Sequence, residues 1–209
     1  CAAMARAIRG DDAAVAKGPA GQVVDSSLLA HTDRLRRQLY PLGDHAWTLV
    51  GNGLSNQTFV RGPGGIIAID TGESVEEMRA ALAALREVAS EPVVAVLYTH
   101  FHYVSGTTAV TDTEPVELIF GHERIALNRA RSSTEIAPTY SRGLVEQFAV
   151  ALESAGPDGL VNVGLGLSYR FDEHAPHTIG HVPATVTATA DTSLEVAGLR
   201  VEVRPAPSD

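Results

Sequence analysis

Two histidines separated by one residue, His100 and His102, follow an apolar run in the stretch LYTHFHYVSGTTAV, Leu97 to Val110. In extended backbone, residues i and i+2 project to the same side. Both imidazoles can therefore reach one cation, and zinc takes ring nitrogens at ~2.0–2.1 Å. The next residues, Val104 and Ser105, add little to such a site. A branched alkyl group donates no electron pair, and a neutral hydroxyl is a poor ligand for a divalent ion. The competing reading is that both rings hydrogen-bond loop carbonyls. Their position after a buried strand and a threonine favours the metal.

Other residues could do chemistry but carry weaker patterns. His174, His177 and His181 are spaced three and four apart, as on a helix face, but Pro176 and Gly180 argue against a helix there. They are read as residues of a flexible loop, their role left open. Tyr103 adjoins the pair and is placed to line a pocket. His122 and Glu123 open a helical stretch and read as capping or surface residues.

The elements that must position the pair follow from periodicity. Residues 1–40 read as an arm rich in Ala, Gly and Asp, with one short helix over SSLLAHTDRLRRQL that aligns Leu28, Leu35 and Leu39. From residue 41 to 209 the chain reads as one unit. AWTLVGN and NQTFVRG are short strands bounded by Gly and Asn, GPGG is a turn, and IIAID is a buried strand ending at Asp70. Ser74 can cap the next helix, with Glu77 closing a capping box. Met78, Leu82, Leu85 and Ala89 then recur at helical spacing. After Pro92, VVAVLY is a continuous apolar strand that delivers the His pair at its C-terminal end, where layered α/β folds place sites. VELIF reads as a strand, HERIALNRARSS and GLVEQFAVALESA as helices, and the Gly- and His-rich stretch after GPDG as a long loop. Two alternating strands around AGL close the chain as a hairpin, expected to join the sheet built near 46–70, 93–98 and 116–120.

Composition bounds the partners. The chain has 209 residues, 44% of them hydrophobic, enough for a sizeable core. A net charge of −9 argues against nucleic acid, whose phosphates want a basic surface. No run of 18 apolar residues exists, so no membrane-spanning helix is expected. The single cysteine, Cys1, allows no internal disulfide and leaves the compartment open, with a soluble, cytoplasmic setting the expectation. A chain opening on Cys1 rather than Met reads as a fragment or a processed product.

The motifs together resemble a known family. YTHFH after a buried strand is similar to the metallo-β-lactamase signature T-H-x-H-x-D-H. GLSNQTFVRGPGGIIAIDTGES, PVVAVLYTHFHYVSG, QFAVALESAGPDGLVNVGLG and PATVTATADTSLEVAGLRVEVRPAPSD occur in the order seen in its alkyl sulfatase (type III sulfatase) branch. The likeness runs over residues 40–209. It implies an α/β fold, the N-terminal half of an αβ/βα sandwich, with a second polypeptide carrying the C-terminal half.

In that branch two zinc ions lie between two sheets. The resemblance keeps His100 and His102 as ligands and makes Asp209, in APSD, the candidate third. Val104 and Ser105 fall where the family has Asp and His, which implies one divalent metal, zinc by preference, and a weak or absent second site. It also gives Asp70 the task of buttressing the metal loop and matches Asn56 to an Asn near the active-site mouth.

The resulting expectation is a metal-dependent enzyme subunit acting on a small molecule, a sulfate ester or related oxyanion-bearing substrate. Diverged lyase or redox chemistry fits the altered ligands as well. One alternative is a non-catalytic, degenerate subunit that completes a partner's fold. Another is an ordinary two-zinc alkyl sulfatase into which His174 or His177 moves.

Overall fold

A computed structural model describes residues 14–153 and 156–206. A seven-stranded mixed sheet organises it, in the order β3-β4-β5-β6-β7-β8-β9. Its strands are β3 (Gln38–Pro41), β4 (Ala46–Val50), β5 (Gln57–Gly62), β6 (Gly65–Ile69), β7 (Val93–Leu97), β8 (Leu118–His122) and β9 (Val186–Ala188). Pairing is antiparallel from β3 to β6 and parallel from β6 to β9. The switch has a local cause. The turn at Gly62–Gly65 folds β5 straight back as β6, whereas α2 (Val75–Arg86) must cross over before β7 can run alongside β6.

Alternation along the central strands divides the core. Ile66, Ala68, Val96 and Ile119 face one cluster with Met78, Leu82 and Leu85 of α2. Ile67, Leu97 and Phe120 face a second cluster on the other side, covered by Val196 and Leu194. That cover is the hairpin β10 (Thr192–Val196) and β11 (Leu199–Val203). It forms a two-stranded sheet of its own. The expectation that it joins the main sheet is therefore corrected. Its apolar alternation is satisfied by packing across the sheet face rather than by edge pairing. The result is one sheet with helices on one side and the start of a second sheet on the other, the arrangement of an αβ/βα sandwich.

Three further readings change. The helix expected over residues 26–39 ends early: α1 spans Ser26–His31, a 3-10 turn covers Thr32–Leu35, and β3 follows. Leu39 pairs with Leu49, so sheet pairing overrides the helical spacing. The arm contains a small hairpin, β1 (Val15–Lys17) with β2 (Val23–Asp25), while residues 1–13 lie outside the described ones. A short helix α3 (Thr107–Thr111) and strand β9 carry no sequence signal of their own.

The helical stretches after β8 are α4 (Ile125–Ser132) and α5 (Ala137–Phe148), and α5 starts and ends earlier than its sequence signal suggests. The long loop is pinned rather than free. Thr178 O accepts from Val75 N at 2.9 Å and Gly180 O from Thr108 N at 2.8 Å, so it lies across the starts of α2 and α3.

The cap of α2 is partly as expected. Ser74 Oγ accepts from Glu77 N at 3.1 Å, but the Glu77 carboxylate does not return to Ser74. It turns inward, accepting from Gln57 Nε2 at 2.6 Å and Glu73 N at 3.1 Å. Glu77 is 3% exposed, and burial pushes its pKa up to about 8. The fold thus keeps a proton that the unfolded chain loses near the ordinary 4.5. The stability linked to that proton is complete below about 4.5 and is lost as pH rises through about 8. Urea unfolding is expected to show stability falling across that range, and Glu77→Gln to flatten the fall, leaving a remnant from Glu73, which burial pushes up to about 7. An unchanged pH slope in the variant would contradict the assignment.

Candidate metal centre

The site begins at two strand ends. Asp70 follows β6 with φ 56°, a left-handed conformation that Asp tolerates better than most residues. Its carboxylate accepts from Thr99 N at 2.8 Å and from Thr99 Oγ1 at 2.6 Å, just past β7. Burial raises the Asp70 pKa, and the two Thr99 hydrogen bonds oppose that rise. Backbone bonds continue the clamp: Asp70 N to Leu97 O at 2.9 Å, Thr71 N to Tyr103 O at 2.8 Å, and Ser105 N to Gly72 O at 3.0 Å. The loop bearing the histidines is thus stitched to the 70–72 loop on both sides of the pair.

Thr99 Oγ1 also lies 2.8 Å from His100 Nδ1. The hydroxyl proton already goes to Asp70, so the ring must donate from Nδ1. In the neutral ring this leaves the Nε2 lone pair of His100 open, the tautomer a metal ligand needs. His100 and His102 sit with ring centroids 5.2 Å apart, edge to face. Tyr103 meets His100 edge-on at 5.0 Å, and Tyr140 of α5 lies over His102 at 6.1 Å with 18° between the planes.

Both histidines line a cavity of about 280 Å³, with Glu73, Tyr140, Phe148 and Tyr169 among its walls. A larger cavity, about 640 Å³, touches only His100 of the pair and lies between the sheet face, α4 and the end of the hairpin. The smaller one is the candidate site, because both imidazoles line it.

The remaining candidates separate. His174 is 4% exposed with Nε2 2.7 Å from Asn52 O, a core contact. His177 Nε2 lies 3.1 Å from Phe171 O, and His181 packs near Tyr98 at 6.0 Å. His122 ends β8, and its Nδ1 accepts from Arg124 N at 3.1 Å in the turn before α4, so it does not cap the helix as expected. Asn56 is exposed, whereas Asn52 is buried and donates to Gln57 Oε1 and to Glu77 O. Asp209 lies outside the described residues. Among the described residues no group of three His, Cys, Asp or Glu gathers around one point.

Two imidazoles with one Nε2 held free fit a single borderline divalent cation. Positions 104 and 105 add no ligand beside the pair. Val104 is fully buried in the core, and Ser105 Oγ lies 3.4 Å from the Arg129 guanidinium. Sequence reasoning missed Glu73, Tyr140, Tyr169 and Arg129. Glu73 follows the strand that ends at Asp70, a position that could have drawn attention. The others come from α4, α5 and the long loop, and no local pattern marks them.

The fold and this strand-end site define a metallo-β-lactamase superfamily domain. Its profile, "Metallo-beta-lactamase superfamily", matches residues 50–103. A linear primary-alkylsulfatase from Pseudomonas sp. is 31% identical over 156 residues, 72% of this chain and 28% of that protein. The stereoselective inverting sec-alkylsulfatase Pisa1 from Pseudomonas sp. superposes with a TM-score of 0.64 at 19% identity, over 96% of this chain and 36% of the other. A double mutant of that enzyme gives 0.69 at 20% identity, over 96% and 38%. The chain thus carries a metallo-β-lactamase superfamily match and is similar to alkyl sulfatases, spanning well under half the length of these relatives. Among the described residues no helix is long and apolar enough to cross a membrane.

The Asp70–Thr99–His100 relay makes a spectroscopic prediction. Nitrogen-detected NMR of the imidazoles should find neutral His100 protonated at Nδ1, and Thr99→Val should remove that preference. An Nε2-protonated ring in the wild type would break the relay.

Proposed function

We propose that the chain is the metal-binding part of an alkyl-sulfatase-like enzyme acting on a sulfate ester or a related oxyanion-bearing small molecule through a reduced, single-metal site. One observation carries the reading: two imidazoles open into a cavity whose other walls include the apolar or aromatic side chains of Leu54, Tyr140, Leu144, Phe148 and Tyr169. Such a cavity suits a molecule with a charged head and an apolar tail.

His100 and His102 would hold the metal, zinc by preference, and the resemblance nominates Asp209 as third ligand. When bound, a divalent cation supplies Lewis acidity toward an ester oxygen. The chain's own side chains do the rest. Thr99 and Asp70 fix the tautomer of His100. Phe101, 4.0 Å from His102, and Tyr140 limit how that ring can turn. Glu73, with its pKa pushed up to about 7 by burial, can hold or release a proton beside the tail-binding walls near neutral pH. Hydrolysis is the reaction the relatives suggest, and lyase or redox chemistry remains compatible with the reduced ligand set.

The rest of the sandwich, on a further segment or on a second polypeptide, is expected to pack against the β10–β11 hairpin. The chain covers 38% of the length of a sec-alkylsulfatase double mutant on which it superposes, and among the described strands β10 and β11 pair only with each other. A second reading, a non-catalytic subunit that completes a partner's fold, draws on the use of Val104 for packing rather than ligation.

Metal analysis separates the two readings. One metal per complex, lost in the His100→Ala/His102→Ala double variant with the fold retained by circular dichroism, is expected for the enzyme. Full metal content in that variant would sink the ligand assignment, and a metal-free wild type would favour the non-catalytic subunit. Hydrolysis of a simple alkyl sulfate by the metal-loaded complex is the matching activity test. Sedimentation and intact mass test the partner reading: a second chain bound to these 209 residues supports it, and a well-behaved 22.0 kDa monomer of them counts against it.

A further inference from the structure

Helix α5 turns one face to the histidine cavity. Tyr140, Gly143, Leu144, Gln147 and Phe148 line it, spaced i, i+3, i+4, i+7 and i+8. Tyr140 lies over His102 with 18° between the planes. Phe148, two turns further along the helix, stacks on Tyr169 at 5.8 Å, and both of those rings line the cavity. From Tyr140 to Phe148 the face runs ~12 Å along the helix axis. Gly143, one turn past Tyr140, is the residue of that face with no side chain.

The fold does not require a glycine there. Gly143 lies inside a helix of 12 residues, without the positive φ that other glycines hold. A methyl group at 143 would meet no heavy atom within 4 Å. Elsewhere the reason for glycine is plain. A methyl at Gly106 would strike Thr71 O at 2.1 Å, and one at Gly121 would press on Ile125 Cδ1 at 2.8 Å. Gly43, Gly156 and Gly164 also have room, but they hold φ 69°, 94° and 83°. After proline, glycine is the poorest residue for a helix interior. Helix α5 bears that cost at 143 and gains no packing contact from it. What it gains is space on its cavity face, where another molecule can come up to the backbone.

The surroundings say what kind of molecule. Leu54, Leu144, Phe148, Leu165 and Tyr169 present apolar or aromatic surface to the cavity, and Gln147 stands on its exposed side. The two imidazoles mark the end where a charged head belongs. A slim apolar chain running from that end along α5 passes Gly143 before it reaches Phe148.

We infer that Gly143 is the specificity-determining residue of this cavity: it opens a slot in α5 where the unbranched alkyl chain of an amphiphilic oxyanion, its head at the histidine pair, lies against the helix backbone. The assignment rests on the reading that the substrate joins an anionic head to an apolar tail, and it names the residue that decides which tails enter. A side chain of leucine size at 143 fills the slot and leaves room for short tails only.

The probes are the n-alkanesulfonates from ethane to octane, whose carbon–sulfur bond hydrolysis does not cut. They are titrated by calorimetry into the purified protein, with its metal and any chain that co-purifies. In the wild type each methylene that enters the slot should tighten binding about fourfold. Gly143→Leu should stop that rise early, weakening octanesulfonate binding about tenfold or more while ethanesulfonate binds as before. Gly143→Ala should raise the thermal midpoint by about 2–4 °C, because the added methyl removes backbone freedom from the unfolded chain and meets nothing in the fold.

Octanesulfonate bound equally by Gly143→Leu and wild type overturns the proposal. A Gly143→Ala protein less stable than wild type overturns it too, by making glycine a requirement of the fold. So does a Gly143→Leu protein that sheds a co-purifying chain, because the slot is then a partner's seat. The n-alkanols of the same lengths separate the slot from the head. If they show the same rise and the same loss in Gly143→Leu, and the sulfonate adds no affinity, the slot stands and the oxyanion reading falls. If neither series tightens with length in the wild type, the slot falls whatever the head does.

Discussion

The Asp70 carboxylate is taken out of water at the end of β6 and turned across the sheet to Thr99. Removing a carboxylate from water costs several kcal/mol unless hydrogen bonds replace the lost hydration. The two Thr99 donors supply that replacement, and in doing so they fix the end of β7 relative to the end of β6. The remaining contacts follow from this tie. Thr71 N reaches Tyr103 O, and Ser105 N reaches Gly72 O, only because the two strand ends are level. The same hydroxyl that serves Asp70 sets the proton on His100. One buried carboxylate therefore ties together two strand ends, the loop that follows and the tautomer of a ring.

Much of this was legible in the sequence, and what was legible shares a cause. The buried strand Val93–Leu97, the Ser74 cap and the His-x-His pair are local patterns, each contained within about a dozen residues. Leu39 shows where local patterns fail. Its spacing from Leu35 suits a helix, but a place opposite Leu49 at a sheet edge was available and won. Strand β9 has three residues and exists because β8 offers an edge, not because VTA prefers to be extended. Tyr140 and Arg129 were invisible for the same reason. Their meaning lies in what α4 and α5 are laid against, and nothing near them in the chain says so.

The two faces of the sheet divide the labour. Helix α2 packs a continuous apolar layer on one side, and Val104 was drawn into that layer although it directly follows Tyr103 in the histidine loop. The β10–β11 hairpin covers the other face with a thinner set of contacts, in which Val196 is buried while Val201 and Val203 are only partly so. The histidines sit at the seam between these layers. A seam is where a strand end, a helix start and a loop can all contribute atoms, which is why the fold repeatedly puts chemistry there. It is also where a single apolar substitution converts a would-be ligand into a packing residue at little cost to the fold.

Glu77 carries a different kind of consequence. Its carboxylate lies against the backbone of two glycines, Gly53 and Gly72, and a methyl group on either would run into it. Gly72 also holds φ 73°, where side chains are strained. The three positions are therefore locked together in their possible histories. A lineage that gains a side chain at position 53 must displace or shorten the residue at 77, and either change disturbs the acceptor of Gln57 Nε2. Substitution at these sites is expected to be correlated among descendants of this chain. That gives the helix start a slow, coordinated pattern of change, distinct from the free drift of the exposed face of α2.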